Sequence, residues 1–375
     1  MKSKILFLIH LPPPIHGAAL AGNNIRESRL INSRFDNHFI NLTTSNSLGD
    51  IGKIRILKIL EIFALWIKVF KTLFTGKFEL CFITINSNGI AWYKEMVIVI
   101  LTKIYRVPIV YFYHNKGVFI NADTFIKHKI YQLQFNNSKT ILLSKLLYND
   151  ISTFVKESDV FICPYGIEKK DFCSNKPLKE KNKKVLNILF LSNLIESKGV
   201  YVLLEACLAL KNKQIPFQCT FIGGEGDISA SQFKLKLQEL GLQNEVAYQG
   251  RKFGVDKEKA FDEADIFVLP TFYHNECFPI ANLEAMQYSV PIISTFEGAI
   301  PEMIIQGYNG FLVPQKSVDE LALKLEELIL NDEMRVEMGL AGRKMYETNF
   351  TLEIFENRLV EILQKCLKNN GNDVN

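Results

Sequence analysis

Short apolar runs alternate with longer segments of helical spacing along the whole chain. The apolar runs of the first half lie at 4–10, 80–87, 109–114 and 139–144. Those of the second half lie at 187–193, 219–224, 245–250, 265–270 and 291–296. Segments with helical spacing, such as 198–211, 230–241 and 317–330, fall between them. Buried strands that alternate with helices are typical of parallel sheets covered on both faces, so the pattern predicts an α/β protein.

A lysine-rich segment at 169–184 interrupts this pattern. Its low apolar content predicts a solvated linker between two domains. The domains are then an N-terminal one at 1–168 and a C-terminal one at 185–350, each with a doubly wound parallel sheet. A last helical pattern at 351–370 is predicted to pack back on the first domain.

Composition narrows the class of protein. The 375 residues are 48% hydrophobic and 22% charged, which is typical of a globular chain, and the net charge of +4 gives no argument for nucleic-acid binding. Seven scattered cysteines without a CxxC pair indicate reduced thiols rather than disulfides or a zinc site. The first apolar run is shorter than a signal-peptide core, and no run is long enough to span a bilayer. We therefore expect a cytoplasmic protein.

Two glutamates follow the apolar run at 265–270. Glu276 lies in a polar loop, and Glu284 lies within the helix that Pro279 is predicted to open. Ligands of open α/β sheets bind beyond the carboxyl ends of strands, where this loop is expected. Backbone amides at 277–280 suit a diphosphate, and a carboxylate accepts hydrogen bonds from two sugar hydroxyls. The alternative interpretation is that each glutamate is an ordinary surface charge.

The segment 276–284, ECFPIANLE, resembles the E-x7-E motif of the retaining glycosyltransferases of family 4, which have the two-domain GT-B architecture. The resemblance extends through 297–304 and 307–314; it is strong over about 185–350 and looser before that. It implies two Rossmann-like domains that face a cleft. It also implies transfer of a hexose-type sugar from a nucleotide-sugar donor to a saccharide or lipid-linked saccharide, in bacterial surface polysaccharide synthesis.

The resemblance also implies roles for residues around the motif. Glu276 would bind hydroxyls of the transferred sugar, and Glu284 would bind the ribose of the nucleotide. The backbone of Phe278, Pro279 and Ile280 would hold the donor phosphates.

A second similarity lies at 191–199, LSNLIESKG. Lys198 matches the family lysine that neutralises the diphosphate, whereas Asn193 stands where the family has an arginine. An amide donates a hydrogen bond but carries no charge, so one expected cation is missing. Lys116 and Arg251 are candidate substitutes. The alternative for Lys198 is a solvated lysine at the start of a helix.

Three further positions resemble family features. Gly223 lies in a glycine loop after a strand, for which a plain tight turn is the alternative. Gly17 follows a proline-rich turn, 12–16, in a loop that would face the cleft; a rigid turn before a helix is the alternative. His114 ends a strand and matches a histidine that supports the reaction centre, but a lone histidine there is commonly a packed or surface residue.

Metal and cofactor are both predicted to be absent. No Asp-x-Asp ends a strand, Asp262 and Asp265 are interpreted as surface charges, and no histidine, cysteine or aspartate cluster has metal-ligand spacing. Lys198 and helix-terminal amides would then carry the leaving-group charge. The resemblance implies retention of anomeric configuration by substitution on one face of the sugar.

The segment 53–77 combines helical apolar spacing with a basic fringe and Trp66. The fringe residues are Lys53, Arg55, Lys58, Lys68, Lys71 and Lys77. A basic amphipathic helix can lie on an anionic membrane. The family that the chain resembles includes many enzymes that build bacterial envelope polysaccharides on lipid carriers, and this resemblance implies peripheral attachment to the inner face of the cytoplasmic membrane. The alternative is a helix that covers the sheet and keeps its lysines in water.

Two other functions stay open. A nucleotide-sugar epimerase with the same fold would bind a similar nucleotide but need no acceptor. A non-catalytic sugar-nucleotide-binding subunit would accommodate Asn193 in place of the arginine.

Overall fold

The computed structural model describes residues 2–13, 17–44, 56–170 and 184–372. The chain divides into two compact units, Met1–Tyr165 with Glu353–Asn375, and Gly166–Leu352. Each unit holds a six-stranded sheet whose strands all pair in parallel. The predicted α/β class with two parallel sheets is confirmed.

The sheet of the first unit has the strand order β2-β1-β3-β4-β5-β6. Its strands are β1 Lys4–Ile9, β2 Asp36–Asn41, β3 Leu80–Ile85, β4 Ile109–Tyr113, β5 Ser138–Leu142 and β6 Val160–Ile162. Its helices are α1 Gly17–Glu27, α2 Arg29–Arg34, α3 Ile56–Thr75, α4 Gly89–Ile104, α5 Val118–Asn121, α6 Phe125–Phe135 and, from Glu353 onward, α14 Leu352–Asn372. Every residue of β3 and β4 is buried, as expected for strands covered on both faces.

The last helix packs on this first sheet. The ring of Phe355 in α14 lies 6.2 Å from that of Phe112 in β4 and 6.0 Å from that of Tyr165. From Glu353 onward, the helix predicted at 351–370 thus belongs to the first unit, whereas Thr351 and Leu352 belong to the second unit.

The sheet of the second unit has the order β12-β11-β10-β7-β8-β9. Its strands are β7 Leu186–Leu191, β8 Phe217–Ile222, β9 Val246–Tyr248, β10 Ile266–Leu269, β11 Ile292–Thr295 and β12 Gly310–Val313. Its helices are α7 Val200–Asn212, α8 Ala230–Glu239, α9 Gly254–Glu263, α10 Ile280–Gln287, α11 Ile300–Met303, α12 Val318–Leu330 and α13 Asp332–Asn349.

Most of the predicted linker at 169–184 lies outside the described residues. Its first two lysines are described and contact the second unit. Lys169 lies 3.7 Å from Glu347, and Lys170 pairs with Glu258 at 2.5 Å.

The apolar pattern did not predict β2, β6 or β12, which are all edge strands. β2 alternates exposed positions with half-buried or buried ones, β6 has three residues and β12 has four. β2 is too polar on one face to stand out as an apolar run. Length does not explain the two others, since the predicted strands β9 and β10 are as short. The cysteines of the described part of the chain are buried and form no disulfide with one another, namely Cys81, Cys163, Cys207, Cys219, Cys277 and Cys366.

Candidate donor site at the carboxyl edge of the second sheet

The strand order of the second sheet reverses direction between β7 and β10. Crossovers run from β7 towards β8 and β9 on one side, whereas β10, β11 and β12 lie on the other side. Loops that leave two neighbouring parallel strands at such a point diverge and open a crevice, which is where open α/β sheets bind ligands. The loop after β7 carries Lys198, and the loop after β10 carries Glu276.

Gly199 allows the β7 loop to approach the end of β10. Its backbone is left-handed, with φ of 87°, and a β-carbon there would lie 2.2 Å from the Pro270 carbonyl oxygen. Only glycine meets both conditions without strain. The approach is tied by a hydrogen bond in which the Phe272 amide donates to the Ser197 carbonyl at 2.7 Å.

Lys198 and Glu276 form an ion pair across this crevice. Their side chains are only 15% and 10% exposed, so each charge has lost most of its water and depends on the other. The Lys198 ammonium also lies 4.7 Å from the centre of the Tyr273 ring. The structure thus brings together two residues that are 78 positions apart in the chain. The resemblance implies that Glu276 binds the sugar and that Lys198 binds the diphosphate.

A second glycine fixes the backbone of Glu276. Gly298 has φ of 54°, and a β-carbon there would lie 2.2 Å from the Glu276 carbonyl oxygen. The Ala299 amide then donates to the Cys277 carbonyl at 2.8 Å. The loops after β10 and β11 therefore support each other, which holds the acidic loop in one place.

Helix α10 starts directly after this loop. Its N-cap is Pro279, and no side chain caps its first amides. Phe278 is buried, and Ile280 is the first helical residue. The predicted opening of the helix near Pro279 agrees with the structure. The first amides of a helix have no acceptor within the helix, so without a side-chain cap they can bind an anion such as a phosphate.

Glu284 lies one turn into α10 and pairs with Lys257 of α9. The pair is partly buried, with side chains 18% and 31% exposed. Lys257 was not among the predicted residues, because nothing in the pattern of α9 shows which of its lysines faces α10. Both glutamates of the motif thus have a lysine partner in this structure.

Asn193 and Gly223 lie at the neighbouring edge, after β7 and β8. The Asn193 Oδ1 accepts a hydrogen bond from the Gly224 amide at 3.0 Å. A β-carbon on Gly223 would lie 1.8 Å from the Ser192 carbonyl oxygen, so this loop also needs a glycine for close approach. The hydroxyl of Tyr248, at the end of β9, donates to the Gly223 carbonyl at 2.9 Å.

The first unit contains the other two predicted residues. Gly17 begins α1, whereas residues 14–16 of the proline-rich turn, including His16, lie outside the described residues. His114 follows β4 and stacks on Tyr165, with ring centres 5.3 Å apart. Its ring also lies 4.5 Å from that of Phe112. His114 is thus a half-buried residue in an aromatic cluster, and its catalytic role stays a prediction.

A buried polar cluster at the switch point of the first sheet was not predicted. The Glu95 side chain in α4 is fully buried, and its carboxylate lies 3.1 Å from the His10 Nε2. The Asn86 backbone amide donates to Glu95 at 2.8 Å, and the Lys94 ammonium lies 3.7 Å away. The cluster fixes the ends of β1 and β3, the two strands between which the order of this sheet reverses.

The interpretation of Asp265 as a surface charge is wrong. Asp265 is 6% exposed, and its carboxylate accepts a hydrogen bond from the Asn187 amide at 2.7 Å. The residue precedes β10 and faces the start of β7, so it joins two central strands. Among the described residues, no group of three or more histidine, cysteine or acidic side chains is placed to hold a metal ion.

Most of the second unit matches a family of known proteins. Residues 168–345 match the family "Glycosyl transferases group 1". The amylovoran biosynthesis glycosyltransferase AmsK of Erwinia amylovora is 35% identical over 204 residues, which are 53% of this chain and 49% of that protein. The capsular polysaccharide biosynthesis glycosyltransferase CapM of Staphylococcus aureus is 27% identical over 243 residues, 61% of this chain and 62% of that protein. The chain thus spans about half to three fifths of the length of these relatives.

Solved structures resemble the whole chain. A glycosyltransferase from Rickettsia africae superposes with a TM-score of 0.73 at 19% identity, over 98% of this chain and 99% of that one. Anabaena Alr3699/HepE, solved with UDP and glucose, superposes with a TM-score of 0.71 at 15% identity, over 97% and 100%. At these identities the likeness concerns the fold, and it confirms the predicted GT-B class.

Proposed function

We propose, from the premise that residues 168–345 are a domain of the glycosyl transferases group 1 family, that this protein is a glycosyltransferase of bacterial polysaccharide synthesis. Its donor is a nucleotide sugar, and its acceptor is a saccharide or a lipid-linked saccharide. The observation that carries the proposal is the pair of Lys198 and Glu276 at the switch point of the second sheet.

The chemistry of this site suits departure of a nucleoside diphosphate. As the bond to the sugar breaks, negative charge grows on the diphosphate, and a preorganised cation at that oxygen lowers the barrier. Lys198 supplies the cation, and the uncapped start of α10 supplies amides. Glu276 is free to accept sugar hydroxyls once Lys198 turns to the phosphate. Glu284 would accept the ribose hydroxyls in place of Lys257.

We further propose that transfer needs no metal and no cofactor, and that it retains the anomeric configuration. In same-face substitution, the departing phosphate oxygen takes the proton of the acceptor hydroxyl while that hydroxyl oxygen bonds to the anomeric carbon. His114 is proposed to support the sugar and the reaction centre.

Turnover with a panel of nucleotide sugars tests this function. Purified protein is incubated in EDTA with each donor, with and without bacterial lipid extract, and released nucleotide is measured. We expect release from one donor, increased by an acceptor in the extract and reduced at least tenfold in Glu284→Ala, which removes the ribose contact. Epimer formation without acceptor would support an epimerase instead. Donor binding without turnover under every condition would support a non-catalytic subunit.

Helix α3 provides a surface for the proposed attachment to the inner face of the cytoplasmic membrane. Five large apolar side chains are exposed at spacings of three and four residues, namely Leu60, Phe63, Ile67, Phe70 and Phe74. The opposite face is buried through Leu65, Val69 and Leu73. The exposed Lys68 and Lys71 lie beside the apolar stripe, so an anionic lipid surface matches both its charge and its apolarity.

Parts of the predicted segment do not contribute to this surface. Trp66 faces inward, since its indole donates to the Lys94 carbonyl at 3.0 Å. Lys53 and Arg55, and the side chain of Lys58, lie outside the described residues. None of the helices in the described part of the chain has the length and apolar character to cross a bilayer.

Co-sedimentation with lipid vesicles tests the surface. Wild type is expected to sediment with anionic phosphatidylglycerol vesicles at low salt and to bind neutral vesicles less. Phe63→Glu with Phe74→Glu should weaken binding by at least tenfold, because each buried phenylalanine contributes roughly 1.5–3 kcal/mol. Leu323→Glu with Leu330→Glu, at positions 49% and 68% exposed in the second unit, is the control matched in charge. Equal binding of the α3 variant and wild type would refute the assignment.

A further inference from the structure

The donor site holds less free positive charge than a diphosphate needs. Lys198 is paired with Glu276, and Lys257 is paired with Glu284, so these four residues carry no net charge. The loop after β7 adds an uncharged amide at Asn193, whose oxygen already accepts from Gly224. A cation from elsewhere in the second unit is therefore needed to balance the negative charge of the diphosphate.

Arg251 lies against the same loop as Asn193. It follows Gly250, whose carbonyl accepts a hydrogen bond from the Gly223 amide at 2.9 Å. A β-carbon built on Gly224 would lie 2.1 Å from the Arg251 Nη2 and 2.7 Å from its Cζ, so the guanidinium occupies the space that a side chain at 224 would fill. The Gly224 backbone thus contacts both residues: its N–H donates to the Asn193 amide oxygen, and its Cα lies beside the Arg251 guanidinium.

This guanidinium has no carboxylate partner within the part of the chain that the structure describes. The side chain is exposed and makes no ion pair or hydrogen bond there. The acidic residues of the adjacent loop do not engage it, since Asp227 instead accepts the Glu196 amide at 2.8 Å. Arg251 therefore differs from Lys198 and Lys257 in carrying a charge that is not already balanced.

We propose that Arg251 binds the diphosphate of the donor and replaces, from the neighbouring loop, the cation that is missing at Asn193. A guanidinium can donate two parallel hydrogen bonds to phosphate oxygens and stays charged at any working pH. The glycine at 224 leaves the space in which the guanidinium lies. This inference rests on the proposed donor site.

Nucleotide binding to the whole protein tests it by calorimetry. UDP, GDP and ADP are each compared with their nucleosides, for wild type and for Arg251→Gln. A phosphate contact predicts about a tenfold weaker diphosphate affinity in Arg251→Gln and an unchanged nucleoside affinity. Lys259→Gln, which removes a 71% exposed lysine of α9, is the charge-matched control and should bind as wild type.

Adding Asn193→Arg to the Arg251→Gln variant tests whether a cation at 193 can take the place of Arg251. It restores a cation at the family position, so diphosphate affinity should recover by at least threefold. An unchanged diphosphate affinity in Arg251→Gln overturns the inference, as does an equal loss for nucleoside and diphosphate, which would place Arg251 on the base. Absence of any diphosphate binding to folded wild type would instead overturn the proposed function and the inference that rests on it.

Discussion

Lys198→Met is expected to lower kcat by about 100- to 1,000-fold, the loss typical of removing one preorganised donor to a developing negative charge. Methionine keeps the apolar stem of lysine, but it leaves the buried Glu276 carboxylate without its partner, so some loss of stability is expected beside the loss of kcat. The measurement is nucleotide release under saturating donor, with circular dichroism to verify folding. Lys259→Met, on the exposed face of α9, should retain wild-type turnover.

The same variant has a second expected property. Because Lys198 and Glu276 form one pair, the effects of Lys198→Met and Glu276→Gln should not add in a double-mutant cycle. Full additivity would show that the two residues act independently of each other. Turnover of Lys198→Met within threefold of wild type would show that the leaving group is stabilised elsewhere.

Glu95→Gln is expected to lower the free energy of unfolding by roughly 3–5 kcal/mol, because it removes one partner from a buried charged cluster. Burial disfavours the charged form of Glu95, but the charge and hydrogen bond of His10, the charge of Lys94 and the Asn86 amide outweigh it and lower the pKa of Glu95. The folded state thus binds this proton more weakly than the unfolded state.

The contribution of Glu95 to stability therefore depends on pH. The carboxylate stabilises the fold above its ordinary pKa of 4.5, and this contribution is lost as the pH falls through the lowered pKa. Urea unfolding between pH 7 and pH 3.5 should show that the free energy of unfolding falls less towards acid pH in Glu95→Gln than in wild type. Glu27→Gln, at a side chain 63% exposed in the same unit, should change stability by less than about 0.5 kcal/mol. Equal unfolding curves for Glu95→Gln and wild type would contradict this role.

The strand–helix alternation was enough to predict the class of fold, because parallel strands buried on both faces are continuously apolar. The acidic loop was predictable for a related reason. Its glutamates lie at a fixed spacing after a strong strand, and proline marks the start of α10. Position along the chain thus sufficed to place Glu276 and Glu284 at the carboxyl edge of the sheet.

Partners across the sheet were not predictable. Lys257 and Tyr273 reach the site through the packing of α9 and the loop after β10, and no local pattern shows which side of a segment faces inward. His10 and Glu95 are 85 positions apart in the chain and meet only once β1 and α4 pack together. The interpretation of Asp265 as a surface charge was wrong for the same reason, since the hydrogen-bond partner of its carboxylate is the amide of a strand residue 78 positions earlier in the chain. The function proposed for Arg251 likewise depends on where the loop after β9 lies in the fold.

The central claim is that the carboxyl edge of the second sheet holds the nucleotide of the donor. A crystal structure of the protein with the nucleoside diphosphate released in the turnover assay tests it most directly. We expect phosphate oxygens within hydrogen-bonding distance of Lys198 and of the first amides of α10, with ribose hydroxyls bound by Glu284. A nucleotide bound elsewhere, with Lys198 still paired to Glu276 and Lys257 still paired to Glu284, would contradict it.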